Sequence, residues 1–291
     1  MKPSVFDYAS PTTLDEAVAL LAGHDGAMIL AGGQSLLPSM NFRLAAPSLL
    51  IDLKRIDALR GIVVADGEIR VRAMARHREL ELDAAAHRAN PLIRAVMAHV
   101  AHVPIRNRGT VVGSLCHADA AAEMPLVLTL LDGTVVARSA AGERVIPAAD
   151  FFLFHMTTSR TAEEIVVEAR FPALAAGAGW AFNEFTRRHG DYAIAAVGAV
   201  VRLGPDGRAS EVRLAACGVS SRPVRLAAAE AALVGTSLDA AELEAAGQAA
   251  EGAVTAADDM HATAAYRRHL LATLVKRTVA EAAARSSGRA H

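Results

Sequence analysis

The chain changes character at one point, and that change limits what it can fold into. Ala173–Gly179 (ALAAGAG) is a run of small residues without periodicity. Before it, short apolar runs alternate with glycine turns and helical stretches. After it come three strand patterns and then an Ala-, Leu- and Glu-rich tract almost free of proline. Such a chain needs two folding units, placed here at residues 1–175 and 178–286.

In the first unit, TTLDEAVALLAG (12–23) reads as a helix, because Glu16 stands at capping-box distance from Thr13 and Gly23 supplies a stop. Strands are expected at 28–31 and 49–53, and the unit subdivides near residue 57. GIVVADGEIRVRA (61–73) is a hairpin turning at Asp66-Gly67. Residues 91–101 form a helix opened by proline. A single apolar helix follows the turn at 106–114, with Pro125 fitting only near its start. A second hairpin covers TVVARS and ERVIPA, and a strand closes at Pro172. In the second unit, WAFNEFTRR, YAIAAVGAVVRL and ASEVRLAACGV are three strands, the last two joined by GPDGR. Val224–Ala284 is expected to be helical throughout, and the tail SSGRAH to fray.

Net charge is −1 and aromatics make up 4%, which argues against nucleic acid as the partner. No apolar stretch approaches the roughly 20 residues of a membrane helix, and the N-terminus lacks a signal-peptide pattern. Two cysteines, Cys116 and Cys217, fit a reducing cytoplasm and cannot supply the thiolates of an ordinary iron–sulfur cluster. The histidines show no spacing that defends a metal site, and His99 and His102 read as solvent-facing or groove-lining.

Two glycine turns carry the functional signal. Ala31-Gly32-Gly33-Gln34-Ser35-Leu36 follows an apolar run, and Gly109-Thr110-Val111-Val112-Gly113-Ser114 again joins glycine to hydroxyl residues. Neither is a dinucleotide-binding fingerprint nor a P-loop. Each alone is either a structural turn or a phosphate cradle; together they could direct backbone N–H groups at one pyrophosphate.

AGGQSLLPSMNFRLAAPSLLIDL, IRNRGTVVGSLCHADAAAEMP, RRHGDYAIAAVGAVV and AYRRHLLATLVKR, in this order, resemble the FAD-binding medium subunits of molybdenum hydroxylases, including carbon monoxide dehydrogenase and the flavin domain of xanthine dehydrogenase. The resemblance spans about residues 6–283. It implies an α+β fold: a two-part FAD-binding domain of the vanillyl-alcohol-oxidase type, followed by a three-stranded antiparallel sheet with helices. It implies that Ala31, Gly32, Gly33, Gln34, Ser35 and Leu36 wrap the FAD pyrophosphate and ribityl chain, with Thr110, Val111, Val112, Gly113 and Ser114 opposite. Glu123 stands where the family has aspartate near the adenosine, Val166 lies on the strand backing the flavin, and Asp191 and Tyr192 lie near the isoalloxazine. It further implies partners, a small subunit with [2Fe-2S] clusters and a large subunit with the molybdopterin cofactor, in a dimer of heterotrimers that delivers electrons to a quinone, NAD or oxygen.

Besides Glu123 in place of aspartate, the chain departs from the family pattern at two places. Val112 replaces the first glycine of the second loop, so the loop is expected either to lose an N–H contact or to be strained, and Val112→Gly to tighten FAD. Phe182-Asn183-Glu184-Phe185 lacks the lysine expected near the flavin. A scaffold subunit with weakened flavin binding is the alternative reading. Cys116 reads as a buried hydrophobe and His117 as a structural or solvent-facing residue. Arg106 and Arg108 either steer phosphates or pin the loop through backbone carbonyls. Arg267, Arg268 and Lys276 read as a solvated helix face.

Overall fold

The protein is described by a computed structural model covering residues 1–288. Its first five elements are β1 (Asp7–Ala9), α1 (Leu14–Gly23), β2 (Met28–Leu30), α2 (Leu36–Asn41) and β3 (Leu49–Asp52). The three strands form a parallel sheet in the order β1-β3-β2. Helix α1 starts as expected: the Thr13 hydroxyl accepts from the Glu16 N–H at 3.2 Å, and the Glu16 carboxylate accepts from the Thr13 N–H at 3.2 Å. The strand preceding α1, absent from the sequence reading, is three residues long and only partly buried.

The chain then forms β4 (Ile62–Ala65), β5 (Glu68–Arg72), α3 (His77–Leu82), α4 (Ala84–Ala89), α5 (Pro91–Met97), α6 (Val103–Arg106), α7 (Val111–His117) and α8 (Glu123–Leu130). After these come β6 (Thr134–Ser139), β7 (Gly142–Pro147), α9 (Ala148–Phe151), β8 (Phe152–Phe154), β9 (Thr157–Thr158) and β10 (Ile165–Pro172). A five-stranded sheet runs in the order β4-β5-β10-β6-β7, so β10 brings two hairpins together. Asp66 and Gly67 both take positive φ, 53° and 74°, as the expected hairpin turn requires. The helix expected over 91–101 ends early, at Met97. The single apolar helix expected after the second glycine turn is two helices, because Ala118 takes a left-handed φ of 52° and ends α7.

The last part contains β11 (Gly179–Phe185), β12 (Ala195–Leu203), β13 (Ala209–Cys217), β14 (Val224–Arg225), α10 (Ala227–Leu233), α11 (Ala240–Gly252) and α12 (Ala264–Ser286). The expected three antiparallel strands are joined by a fourth, short one, so Val224 and Arg225 are not helical. Loops also interrupt the helical tract at 234–239 and 253–263. Residues 289–291, part of the tail expected to fray, lie outside the described residues. The helices cover one face of this sheet, where Val197, Leu214, Val275 and Val279 are buried together. The other face packs on α8. A Cβ on Gly198 would stand 2.8 Å from Leu130 Cδ2 and 3.0 Å from Leu126 Cδ2, so this glycine lets helix and sheet approach closely.

Arg267 overturns the solvated-face reading. It is buried, donates at 2.7 Å to the carbonyls of both Ile194 and Gly218, and pairs with Asp259 at 2.6 Å. Lys276 does lie at the surface, paired with Glu244.

Candidate functional site

The two glycine turns, far apart in sequence, touch. A Cβ on Gly32 would lie 2.6 Å from the Arg108 carbonyl oxygen, 2.6 Å from Gly109 Cα and 2.8 Å from the Thr110 nitrogen. Only glycine permits that approach of one main chain to another. Gly33, at φ 71°, turns the chain from β2 into α2. Among the described residues, the backbone N–H groups of Gly32, Gly33, Gln34, Ser35 and Thr110 donate to no protein acceptor. Ser35, the residue before α2, makes no capping bond with its side chain. Unpaired N–H groups gathered at a helix start are a receptor for an anion.

The second turn is organised by a helix cap. The Thr110 hydroxyl accepts from the Gly113 N–H at 3.1 Å, while the Val111 N–H donates to the Ala75 carbonyl at 3.2 Å. Val112 therefore sits in the first turn of α7 with helical backbone, and it is not among the residues of positive φ. The expected strain at Val112 is absent, because a helical residue here needs no glycine, and its side chain is buried in the core.

These turns form part of a cleft of about 760 Å3. Ala31, Gly32, Gly33, Gln34, Ser35 and Leu36 line one part, and Thr110, Val112, Gly113 and Ser114 another. Glu123, Val166 and Tyr192 also line it. Tyr192 lies near the Ser35 side chain, which links the turn after β11 to the first glycine loop. Two residues of the expected set stand apart. Val111 is fully buried behind the cleft wall, and Asp191 is exposed in a turn where its N–H donates to the Arg188 carbonyl at 3.1 Å.

Among the lining residues that sequence reasoning missed are His77, Met156 and Arg160. No motif marks them, since they reach the cleft only through tertiary packing. His77 is buried against Gly109, whose Cβ position would be 3.1 Å from His77 Nδ1, and neither ring nitrogen has a partner among the described residues. Burial pushes its pKa down to about 4, against the upward pull of the Gly109 backbone, so the ring is neutral near pH 7. Among the described residues, Arg160 is the one lysine or arginine in the cleft wall, held by the carbonyls of Thr161 and Glu164.

Other candidates resolve into structural roles. Arg106 pins the loop: it is buried, donates to the Val100 and Ala101 carbonyls at 2.9 and 3.0 Å, and pairs with Glu81 at 3.0 Å. Burial pushes the Cys116 thiol up to about 11, leaving it protonated and unreactive. His117 lines the cleft, and burial lowers its pKa. Glu184, in the segment that lacks the expected lysine, points inward with its side chain 4% exposed. Among the described residues no three His, Cys, Asp or Glu side chains form a metal-ligating group.

A paired main-chain cradle in a long cleft, backed by a β-sheet and closed by a second unit, is the arrangement for which comparison with known proteins is decisive. Residues 4–174 match the FAD binding domain in molybdopterin dehydrogenase, and residues 180–282 match the CO dehydrogenase flavoprotein C-terminal domain. The chain belongs to this flavoprotein family. It is 42% identical to the 6-hydroxypseudooxynicotine dehydrogenase complex subunit alpha of Paenarthrobacter nicotinovorans, over 97% of this chain and 96% of that one. Among solved structures, it resembles carbon monoxide dehydrogenase from Hydrogenophaga pseudoflava with a TM-score of 0.95, at 36% identity, covering 98% of this chain and 99% of that chain. It resembles quinoline 2-oxidoreductase from Pseudomonas putida 86 with a TM-score of 0.94, at 36% identity and full coverage of both chains. Its relatives are subunits of oxidoreductases, and this chain is of the xanthine dehydrogenase and CO dehydrogenase medium-subunit type. No helix among the described residues is long and apolar enough to cross a membrane.

Proposed function

We propose that this chain holds FAD noncovalently and passes electrons from the iron–sulfur clusters of a small partner subunit to an external acceptor. A large partner subunit with a molybdopterin cofactor would feed those clusters, and the acceptor would be a quinone, NAD or oxygen. The observation that carries the reading is the set of unpaired N–H groups on Gly32, Gly33, Gln34, Ser35 and Thr110, brought together by the contact at Gly32. They fit a diphosphate, which needs several donors and little side-chain specificity. FAD, once bound, supplies the redox chemistry, and the protein supplies placement and electrostatics.

Residues 1–175 would form the FAD-binding domain, with parts at about 1–57 and 58–175, and 178–286 the second domain. Val166 on β10 would back the cofactor, Tyr192 would close the cleft from the second domain, and Glu123 would face a polar group of the dinucleotide. Two unpaired cysteines support a reducing, cytoplasmic setting, and the relatives' multisubunit organisation supports a dimer of heterotrimers. Heat-released cofactor from the purified chain, separated by chromatography, tests the core of this reading. FAD is expected; FMN, or no flavin from folded protein after reconstitution, would overturn it. Copurification of an iron–sulfur subunit and a molybdenum subunit tests the assembly.

A further inference from the structure

Glu123 and Glu184 come from different units of the fold, and both side chains are buried where α8 packs on the sheet of the second unit. Along α8, Glu123 is three residues before Leu126, on the same face and one turn nearer the N-terminus. Leu126 and Leu130 pack over Gly198, which lies in the cross-strand row Phe182, Gly198, Ala215. Two residues along the strands is the parallel row Glu184, Ala196, Cys217, whose side chains emerge on that same sheet face. The Gly218 N–H, next to Cys217, donates to the Ala120 carbonyl just before α8 at 2.9 Å, which places the start of α8, and Glu123 with it, at this row. Glu123 is 5% exposed and lines the cleft, while the Glu184 side chain is 4% exposed.

Glu184 is half satisfied. Its Oε2 meets His99 Nδ1 at 3.0 Å, and its Oε1 is buried with no hydrogen-bond partner. His99 itself packs edge-on against Phe182 and reaches the surface, its side chain 39% exposed. Among the described residues, the other titratable groups around Glu123 are Asp119 before α8, Cys217 on β13, Tyr192 in the turn after β11 and, beside Asp119, His117 and His155; none is a lysine or arginine. Burial and a nearby carboxylate both disfavour the ionised form of a carboxyl group. Burial, then the neighbouring Glu184, pushes the Glu123 pKa up to about 8.

We propose that Glu123 and Glu184 form a one-proton carboxyl pair across the interface, in which Glu184, anchored by His99, keeps Glu123 a neutral hydrogen-bond donor toward an acceptor atom of the bound dinucleotide. Glu123 is then a cofactor-binding residue, while Glu184 and His99 are positioning residues. The inference rests on the FAD reading for its ligand, but the carboxyl pair exists without it.

The test uses the full chain stripped of flavin, titrated with FAD by fluorescence quenching between pH 6 and pH 9. Affinity is expected to hold up to about pH 7 and to fall roughly tenfold by pH 9, as Glu123 loses its proton. Glu123→Gln, which keeps a donor, is expected to give a flat profile. Glu184→Gln removes the neighbouring charge, so the midpoint moves to lower pH, weakening FAD near pH 8 while leaving pH 6 unchanged. A flat wild-type profile, or an unmoved midpoint in Glu184→Gln, overturns the proposal. Infrared spectra of the apo-protein near neutral pH supply a ligand-free readout: a protonated carboxyl band is expected, absent in Glu123→Gln. If FAD fails to bind at every pH but that band is present, the cofactor reading fails and the pair stands. If the band is missing from the wild type, the pair fails.

Discussion

Gly32→Ala isolates the contact on which the site depends. The added methyl would stand 2.6 Å from the Arg108 oxygen and from Gly109 Cα, and 2.8 Å from the Thr110 nitrogen. All three are main-chain atoms, so no side chain can swing away. Reaching ordinary van der Waals spacing means parting the two loops by about 1 Å. Overpacking of this kind costs about 1–3 kcal/mol of apo-protein stability. The effect on FAD is separate. An N–H···O bond of about 2.9 Å stretched by that amount is no longer a hydrogen bond. Each bond to a charged phosphate is worth about 1.5–3 kcal/mol, so losing one weakens FAD by roughly 10- to 150-fold. The assay is a fluorescence titration of apo-protein alongside thermal unfolding. Gly23→Ala serves as control, because a Cβ there meets nothing within 4 Å. Binding by Gly32→Ala within twofold of wild type would refute the idea that the loops hold the phosphates jointly.

Val112→Gly is now expected to destabilise the protein by about 2–3 kcal/mol, through lost burial and a poorer helix residue, without tightening FAD; tighter binding in the titration would restore the strained-loop view. Glu164 is held down at about pKa 2, chiefly by Arg144, which donates at 2.5 and 2.8 Å. Its folded pKa lies below the unfolded value, so the stabilisation is full above about pH 4.5 and disappears as pH falls toward 2. Arg144→Ala should therefore lower stability by about 1–2 kcal/mol at pH 7, a figure reduced for the half-exposed arginine, with the gap to wild type closing in acid unfolding curves. Arg267→Met should cost about 2–4 kcal/mol by stranding the buried carbonyls of Ile194 and Gly218, and denaturant melts read this directly.

The parts of the fold visible in the sequence are those in which local chemistry and tertiary packing agree. Thr13 and Glu16 announce a helix start because the cap is made within four residues. Asp66-Gly67 announces a hairpin because few other pairs take two positive φ values in succession. Ala118 hides the break between α7 and α8, since nothing about alanine suggests a left-handed residue; its conformation is imposed by the surroundings. Arg267 misled for a similar reason: helix periodicity places it on α12 but cannot show the carbonyls it reaches from β12 and the turn after β13. The glycine loops were legible as a pair, yet the backbone of the second was not. Sequence marks Thr110 as a phosphate neighbour, whereas its role as the helix cap that sets Val112 helical depends on tertiary structure. His77 and Arg160 reach the cleft from segments with no spacing relation to either loop.

The cradle at Gly32–Ser35 and Thr110 is made of peptide N–H groups. Such a receptor is indifferent to most side chains that decorate it. Gln34 and Leu36 can drift in sequence while the electrostatic contour offered to an anion stays the same, because every residue except proline carries the same donor. Gly32 has no such freedom, since its role is to be absent at Cβ. Mutational tolerance across this loop should therefore be sharply uneven: broad at Gln34 and Leu36, narrow at Gly33 with its φ of 71°, and nil at the one residue whose contribution is empty space.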